Sequence, residues 1–332
     1  MSHTIAPPQE PNRADWLMWA AVAFVGGSAP AAINVAIEGA PPAIIAGVRL
    51  WLATLVLVVF TLGTGRPLLG IRTKADWIAW GYAAAAGATG YAIPFTLFPL
   101  AQQEVSSIMA GIFMSFLPVI TVLVAAAFAG EPLTRRSLAG VAVGTVGVLI
   151  LIGPAALTGA EGTLYGQGLL MLAILGYAAT GIVMRRAPEV PVRSFTTAMM
   201  LCSAIITTPP LFFADWSAVN GQGLWALAYL GLGPTGLTAI CVVTVVRRAG
   251  ASFLSTSAYV APVVSVILGI IIFSEAFTLN QAVGLLTIFL GISLTRGVFA
   301  RLQKEILPRI IVTAFPSRKA SSNERHQPSD QP

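Results

Sequence analysis

Residues 118–147 read PVITVLVAAAFAGEPLTRRSLAGVAVGTVG, and residues 262–291 read PVVSVILGIIIFSEAFTLNQAVGLLTIFLG. Pro118, Val119, Glu131, Thr134, Gly140 and Gly147 recur as Pro262, Val263, Glu275, Thr278, Gly284 and Gly291, each pair 144 positions apart. Earlier in each half, Pro42 pairs with Pro191 at a spacing of 149. Self-similarity of this kind sets an architecture before any single motif does. The two copies differ in charge: the first continues into Arg135 and Arg136, while the second reads Ala-Phe-Thr-Leu-Asn-Gln with no base. One structural unit thus stands on opposite sides of a barrier.

The barrier is a membrane. Of 332 residues, 56% are hydrophobic and 10% charged, against about 25% charged in soluble domains, and the mean hydropathy is +0.82. A span needs roughly 20 apolar residues. Apolar runs predict an all-α integral membrane protein with ten transmembrane helices, at about 16–37, 42–63, 76–100, 106–129, 137–153, 164–185, 194–213, 223–246, 252–273 and 280–299. The repeats are 16–153 and 164–299, five helices each, with a tail at 1–15 and a basic, Ser- and Pro-rich tail at 300–332. Five is odd, so the second repeat enters the membrane in the opposite sense: the halves form an inverted repeat.

Lys and Arg near span ends stay on the cytoplasmic side. With the N-terminus inside, eighteen of the nineteen basic residues lie on the inner side, and the nineteenth, Arg49, lies within the second span. The outer loops carry Glu38, Glu104, Glu161, Asp215 and Glu275. Both termini are therefore expected in the cytoplasm of a multi-pass inner-membrane protein. The net charge of +6 follows from this distribution, and bases spread over span ends form no nucleic-acid patch. Cys202 and Cys241 fall inside apolar runs as small hydrophobes, without disulfide or metal spacing. The apolar run from Trp16 to Ile37 is too long for a signal-peptide core.

No Asp, Glu, His or Lys falls deep inside a predicted span, and both histidines, His3 and His326, are in the tails. Proton relays, general acid–base chemistry and metal-assisted chemistry all need such groups. An enzyme is therefore not expected, nor a metal or other cofactor. Inverted repeats are instead the build of many secondary transporters.

The order Pro41-Pro42…Arg49, Ala101-Gln102-Gln103-Glu104-Val105-Ser106-Ser107, Pro118, Gly130-Glu131-Pro132-Leu133-Thr134, Gly140 and Gly147, with Pro262, Glu275, Gly284 and Gly291 in the second copy, resembles EamA-type members of the drug/metabolite transporter superfamily over residues 16–299. The first span departs from the pattern, with Gly26-Gly27-Ser28-Ala29-Pro30 where the family often has Trp-Gly-Ser-Asn-Phe, and Asn34 where it has a later Lys. The resemblance implies a ten-helix carrier with a central cavity lined mainly by helices 1, 3, 4, 6, 8 and 9. It also implies transport of small metabolites such as amino acids, often outward. Uptake or exchange of a drug, sugar or nucleotide derivative is the alternative within the class; a channel would need a continuous polar pore.

Hydroxyl, amide and aromatic groups near mid-span on those helices give the candidate substrate site: Ser28, Asn34, Tyr91, Ser115, Tyr177, Thr180, Thr235, Thr238, Ser255 and Tyr259. Against this stands ordinary interhelical bonding by Ser and Thr. Arg49 is the one charge at depth; its planar fork either receives a substrate carboxylate, or it bonds backbone carbonyls of neighbouring helices or snorkels outward. Pro118, Pro262 and Pro234 interrupt helices that would have to move and are candidate hinges, or fixed kinks. Gly140-Val-Ala-Val-Gly144 allows close backbone approach, within the bundle or at the face of a homodimer. Glu131-Pro132 reads as a helix N-terminus rather than a coupling site. The partners expected are a small-molecule substrate and the lipid bilayer.

Overall fold

The computed structural model describes residues 10–129, 134–158, 161–254 and 256–295. Among these residues there are helices and turns and no strand, as expected where backbone polar groups must be satisfied within the segment itself. The helices are α1 (Arg13–Gly27), α2 (Ala29–Ile37), α3 (Pro42–Gly63), α4 (Lys74–Gly87), α5 (Ile93–Ala101), α6 (Ser107–Met114), α7 (Leu117–Ala129), α8 (Arg135–Thr158), α9 (Glu161–Arg186), α10 (Val192–Ile206), α11 (Gly221–Leu230), α12 (Thr238–Arg248), α13 (Ala251–Leu254), α14 (Ser257–Phe273) and α15 (Leu279–Thr295). Six stretches are long and apolar enough to cross a membrane: Arg13–Ile37, Pro42–Gly63, Lys74–Ala101, Thr163–Arg186, Val192–Phe212 and Gly221–Arg248. The bent pair Ser107–Met114 and Leu117–Phe128 makes a seventh, and Val260–Phe273 and Leu279–Leu294 are shorter apolar helices.

Helix ends follow local chemistry. Asn12 and Asp15 form a reciprocal capping box at the start of α1, and Thr73 and Asp76 do the same for α4. Pro42 occupies the first position of α3, where no intrahelical donor is lost. The outward faces are apolar: Leu55, Val59, Ile271 and Leu286 are each more than half exposed, as suits contact with lipid rather than water.

Several predicted spans are not single helices. The first breaks at Ser28 between α1 and α2, and the fourth bends by 41° between α6 and α7. The third and eighth keep their direction but pass through π-helical stretches, Ala88–Ala92 between α4 and α5 and Gly231–Leu237 between α11 and α12. These stretches lie at matching places, with Gly87 and Gly231 separated by 144. Pro30, Pro94 and Pro118 stand in the first turn after a break or π-turn, where the missing N–H costs little. Pro234 lies inside the second π-turn and Pro262 inside α14.

The glycines of the repeat meet one another. A Cβ on Gly147 would come within 2.9 Å of the Gly284 carbonyl, and one on Gly291 within 2.7 Å of the Gly140 carbonyl. Gly284 is the counterpart of Gly140, and Gly291 that of Gly147, so the contact of α8 with α15 is reciprocal, as contacts across a two-fold are. Within this chain the Gly140–Gly144 face is covered by α15. The same reciprocity holds between the π-turns and the second helix of the other half: Gly231 lies against Leu52 and the Arg49 carbonyl, Gly87 against the Met199 carbonyl and Ser203. The expected helix start at Glu131-Pro132 and the tail at 300–332 lie outside the described residues.

Candidate functional site

Two turns into α3, Arg49 is 4% exposed. Its Nε–H donates to Thr235 Oγ1 at 2.6 Å, and its guanidinium carbon lies 3.8 Å from the centre of the Phe95 ring, a cation–π contact. Thr235 in turn donates to the Leu230 carbonyl, five residues back, at 2.7 Å. That reach exists because Thr235 sits in the second π-turn. Tyr91, its counterpart at a spacing of 144, sits in the first π-turn and meets Phe95 edge-on at 5.6 Å. Tyr177 packs on the same apolar cluster and touches the Phe98 ring at 6.4 Å.

A cavity of about 280 Å³ opens in front of this group. Tyr91, Phe95, Thr235 and Thr238 line it together with Thr196 and Met199 of α10 and with Val192 and Val246; Thr235 and Thr238 are buried, whereas Val192 is 44% exposed. Thr196 donates to the Val192 carbonyl at 2.8 Å and Thr238 to the Pro234 carbonyl at 2.6 Å. Their hydroxyls therefore keep lone pairs for a guest. Among the described residues no carboxylate reaches Arg49; Asp15 is paired elsewhere, with Arg248 at 3.5 Å. Burying a cation without a counter-ion is costly, and the ring face and the hydroxyl are the compensation the protein itself supplies.

Two further crevices of about 490 and 330 Å³ flank the bundle. Gln222, Trp225, Ala226 and Tyr229 line the larger, against Ala31, Ala32 and Val35. Ile78, Gly81, Tyr82 and Ala85 line the smaller, against Ile182, Val183 and Arg186. The first four of each set correspond one to one at a spacing of 144, the remaining three at 151.

Of the residues predicted from sequence, the structure brings Tyr91, Thr235 and Thr238 together at one cavity, with Arg49 held behind its wall by Phe95 and Thr235 and Tyr177 packed on the same apolar cluster. Pro234 also lines that cavity. Ser28 is elsewhere: its hydroxyl bonds the Val25 carbonyl and lies 2.7 Å from the Tyr229 hydroxyl in the larger crevice. Ser115 donates to the Ile112 carbonyl at the α6–α7 break. Thr180 bonds Thr89 at 2.8 Å and fills the space over Gly90 in the first π-turn. Asn34 is half-buried on α2, outside the lining of the Arg49 cavity and of both crevices. Ser255 lies outside the described residues, and Tyr259 is placed in α14 by its backbone alone.

Sequence reading missed Phe95, Thr196 and Met199. Phe95 follows Tyr91 by four residues on one helix face, a signal present in the sequence; Thr196 and Met199 belong to the seventh span, which was not among the expected lining helices. It also passed over two buried amides. Among the described residues Gln102 donates to the Pro30 carbonyl at 2.7 Å but finds no donor for its own carbonyl oxygen, and neither polar atom of buried Gln167 has a partner.

The EamA-like transporter family matches the chain twice, over residues 13–153 and again over 164–297. The chain belongs to that family. It is an EamA-type transporter of the drug/metabolite transporter superfamily and a multi-pass membrane protein. Among its relatives is the "Uncharacterized inner membrane transporter YedA" of Escherichia coli (strain K12), 24% identical over 312 residues, spanning 92% of this chain and 94% of that protein. Another is the "Uncharacterized transporter YoaV" of Bacillus subtilis, 22% identical over 84% of this chain and 96% of that protein. A solved structure described only as "Crystal structure of protein" shares the fold, with a TM-score of 0.61 at 20% identity, over 88% of this chain and all of that one.

Proposed function

We propose that this EamA-type protein is a secondary carrier that moves small organic metabolites of amino-acid size across the inner membrane, outward, by alternating access. In this reading ten spans form two inverted halves, 16–153 and 164–299, with both termini in the cytoplasm. The distribution of Lys and Arg supports that orientation. The reciprocal glycine contacts and the paired crevices support the two-fold between the halves.

One observation carries the reading: the cavity has a filled counterpart. Applying the same spacings, Met184, Thr196, Met199, Val242 and Val246 correspond to Ile33, Gly47, Leu50, Phe98 and Gln102. Ile33, Leu50 and Phe98 are core residues, Gln102 is 4% exposed, and Leu211 occupies the space over Gly47. The cavity beside Val246, set against Leu211 over Gly47 and the buried Gln102, supports a reading in which equivalent helices are parted on the side of Val246 and packed together on the side of Gln102. Two nearly equivalent arrangements, one open and one closed, are what a carrier exchanges between. Because Val192 and Val246 adjoin Arg193 and Arg247, the open side is the cytoplasmic one.

Counterflow into proteoliposomes tests this. Vesicles holding the purified protein are preloaded with a pooled extract of small organic acids, amino acids and amines, and entry of labelled tracers from the same pool is followed. Saturable, preload-dependent entry is expected. A flux that ignores the preload, or stepwise currents in a planar bilayer, would replace the carrier by a channel. Everted membrane vesicles then give direction: a protein that exports accumulates the tracer inside them.

A further inference from the structure

We propose that the Arg49 cavity selects a short carboxylate with an apolar body and no ammonium group, a hydroxy acid rather than the zwitterionic amino acid of the same skeleton. This rests on the reading of that cavity as the substrate site. Arg49 stands one layer behind the wall, and both groups that hold it, Phe95 and Thr235, line the cavity. Its charge therefore acts across a single side chain, in surroundings where electrostatic interactions are weakly screened. Among the described residues no Asp or Glu lines the cavity and none pairs with Arg49.

An amino acid would bring two charges into this space. Its carboxylate would be drawn to Arg49, but its ammonium would meet the same positive field with only neutral hydroxyls to answer it. A hydroxyl in the place of the ammonium removes that cost and keeps a donor. Thr196 and Thr238, already donating to their own helix carbonyls, have lone pairs to accept from it. The rest of the wall, Met184, Met199, Val242 and Val243, suits an aliphatic body. Next to Val192, Arg193 donates to Thr64 Oγ1 at 2.6 Å, lies over the Phe60 ring and is within the electrostatic reach of Arg247 and Arg66. Glu189 in the loop between α9 and α10 is the acidic residue of that side of the connection. Topology accounts for the presence of these arginines; Arg193 and Arg247, next in sequence to the lining residues Val192 and Val246, also add positive charge on that side, which favours the approach of anions.

Three compounds of one skeleton isolate the charge: leucic acid, leucine (ammonium in place of the hydroxyl) and isoamylamine (no carboxylate). In proteoliposomes of the full chain, unlabelled leucic acid inside is expected to drive uptake of labelled leucic acid. Outside, leucic acid should compete about tenfold better than leucine, with isoamylamine weakest, the order set by a fixed positive charge. In Arg49→Gln the ratio of leucic acid to leucine should fall to about one, a readout independent of how much protein reconstitutes. If Arg49→Gln does not fold, the competition order in the unaltered protein decides alone. Leucine or isoamylamine competing as well as leucic acid would overturn the proposal, as would an unchanged ratio in folded Arg49→Gln. Counterflow with none of the three overturns it too; pooled-metabolite counterflow would in that case leave the carrier reading standing.

Discussion

The carboxylate of Glu275 holds Ser107 twice, accepting from its amide at 2.9 Å and its hydroxyl at 2.8 Å through one oxygen. The other oxygen accepts from the amide of Ile108 at 2.9 Å. The segment after α14 is thereby fastened to the first turn of α6, where amides lack intrahelical acceptors and the helix dipole favours negative charge.

Removing that acceptor leaves three donors without a partner. Glu275→Ala is expected to cost about 1–3 kcal/mol, and Ser107→Ala less, because both backbone amides keep their bonds. Thermal unfolding in detergent measures the order, with Glu275→Gln falling between the two. Equal effects of Glu275→Ala and Ser107→Ala would show the hydroxyl to be the only bond that matters.

The asymmetry between the cavity and its filled counterpart predicts a pattern of thiol access. With Cys202 and Cys241 replaced by Ser, Val246→Cys should react with a membrane-impermeant maleimide applied to the cytoplasmic face. Gln102→Cys should stay protected from the same reagent on the other face. A carrier that alternates would expose Gln102→Cys, and cover Val246→Cys, when the transmembrane substrate gradient is reversed. Constant reactivity at both positions under either gradient would count against alternation.

Where backbones touch, side chains cannot be added. Gly147→Leu and Gly291→Leu should each abolish a monodisperse elution profile, since even a Cβ meets backbone atoms within 3 Å. Gly168→Ala and Gly181→Ala, which meet nothing within 4 Å, should elute unchanged and melt slightly higher. Tolerance of Leu at Gly147 would mean that α8 and α15 are not in contact in solution.

In the loop before α11, Asp215 accepts from the Ser217 hydroxyl and amide, which hold its carboxyl below the usual aspartate range. A lowered value in the folded loop means that the stabilisation is complete above the ordinary aspartate pKa and is lost as the pH falls through the folded one. Carbon-detected NMR of the Asp215 carboxyl should show the depressed midpoint. In Asp215→Asn the order of the loop should no longer change over that acidic range.

The all-helical, membrane-spanning character could be read from the sequence because composition and the length of apolar runs do not depend on tertiary context. The glycines at 140, 147, 284 and 291 could be read as a repeated pattern, but that they meet one another is a matter of packing. Facing is a different matter. In a helix that is apolar all round, the 3.6-residue pattern that tells inside from outside is nearly erased, so Ser28 and Tyr91 look alike in sequence although one lines a flanking crevice and the other the Arg49 cavity. The π-turns were invisible for a related reason. One extra residue per turn changes no composition, and Gly87-Ala88-Thr89-Gly90 reads as ordinary small-residue packing. Arg49 was conspicuous as a lone charge, but its partners, Phe95 and Thr235, lie 46 and 186 residues away in the chain and are joined to it only by packing, Phe95 within the same half and Thr235 across the two halves.

Each π-turn inserts a residue into an otherwise regular helix, a change that is awkward to acquire and easy to keep. One stands at the same place in each half, so the same device serves two purposes: in the second half it lets Thr235 reach the Leu230 carbonyl and hold Arg49, and in the first it sets Tyr91 edge-on to the Phe95 ring on which that arginine lies.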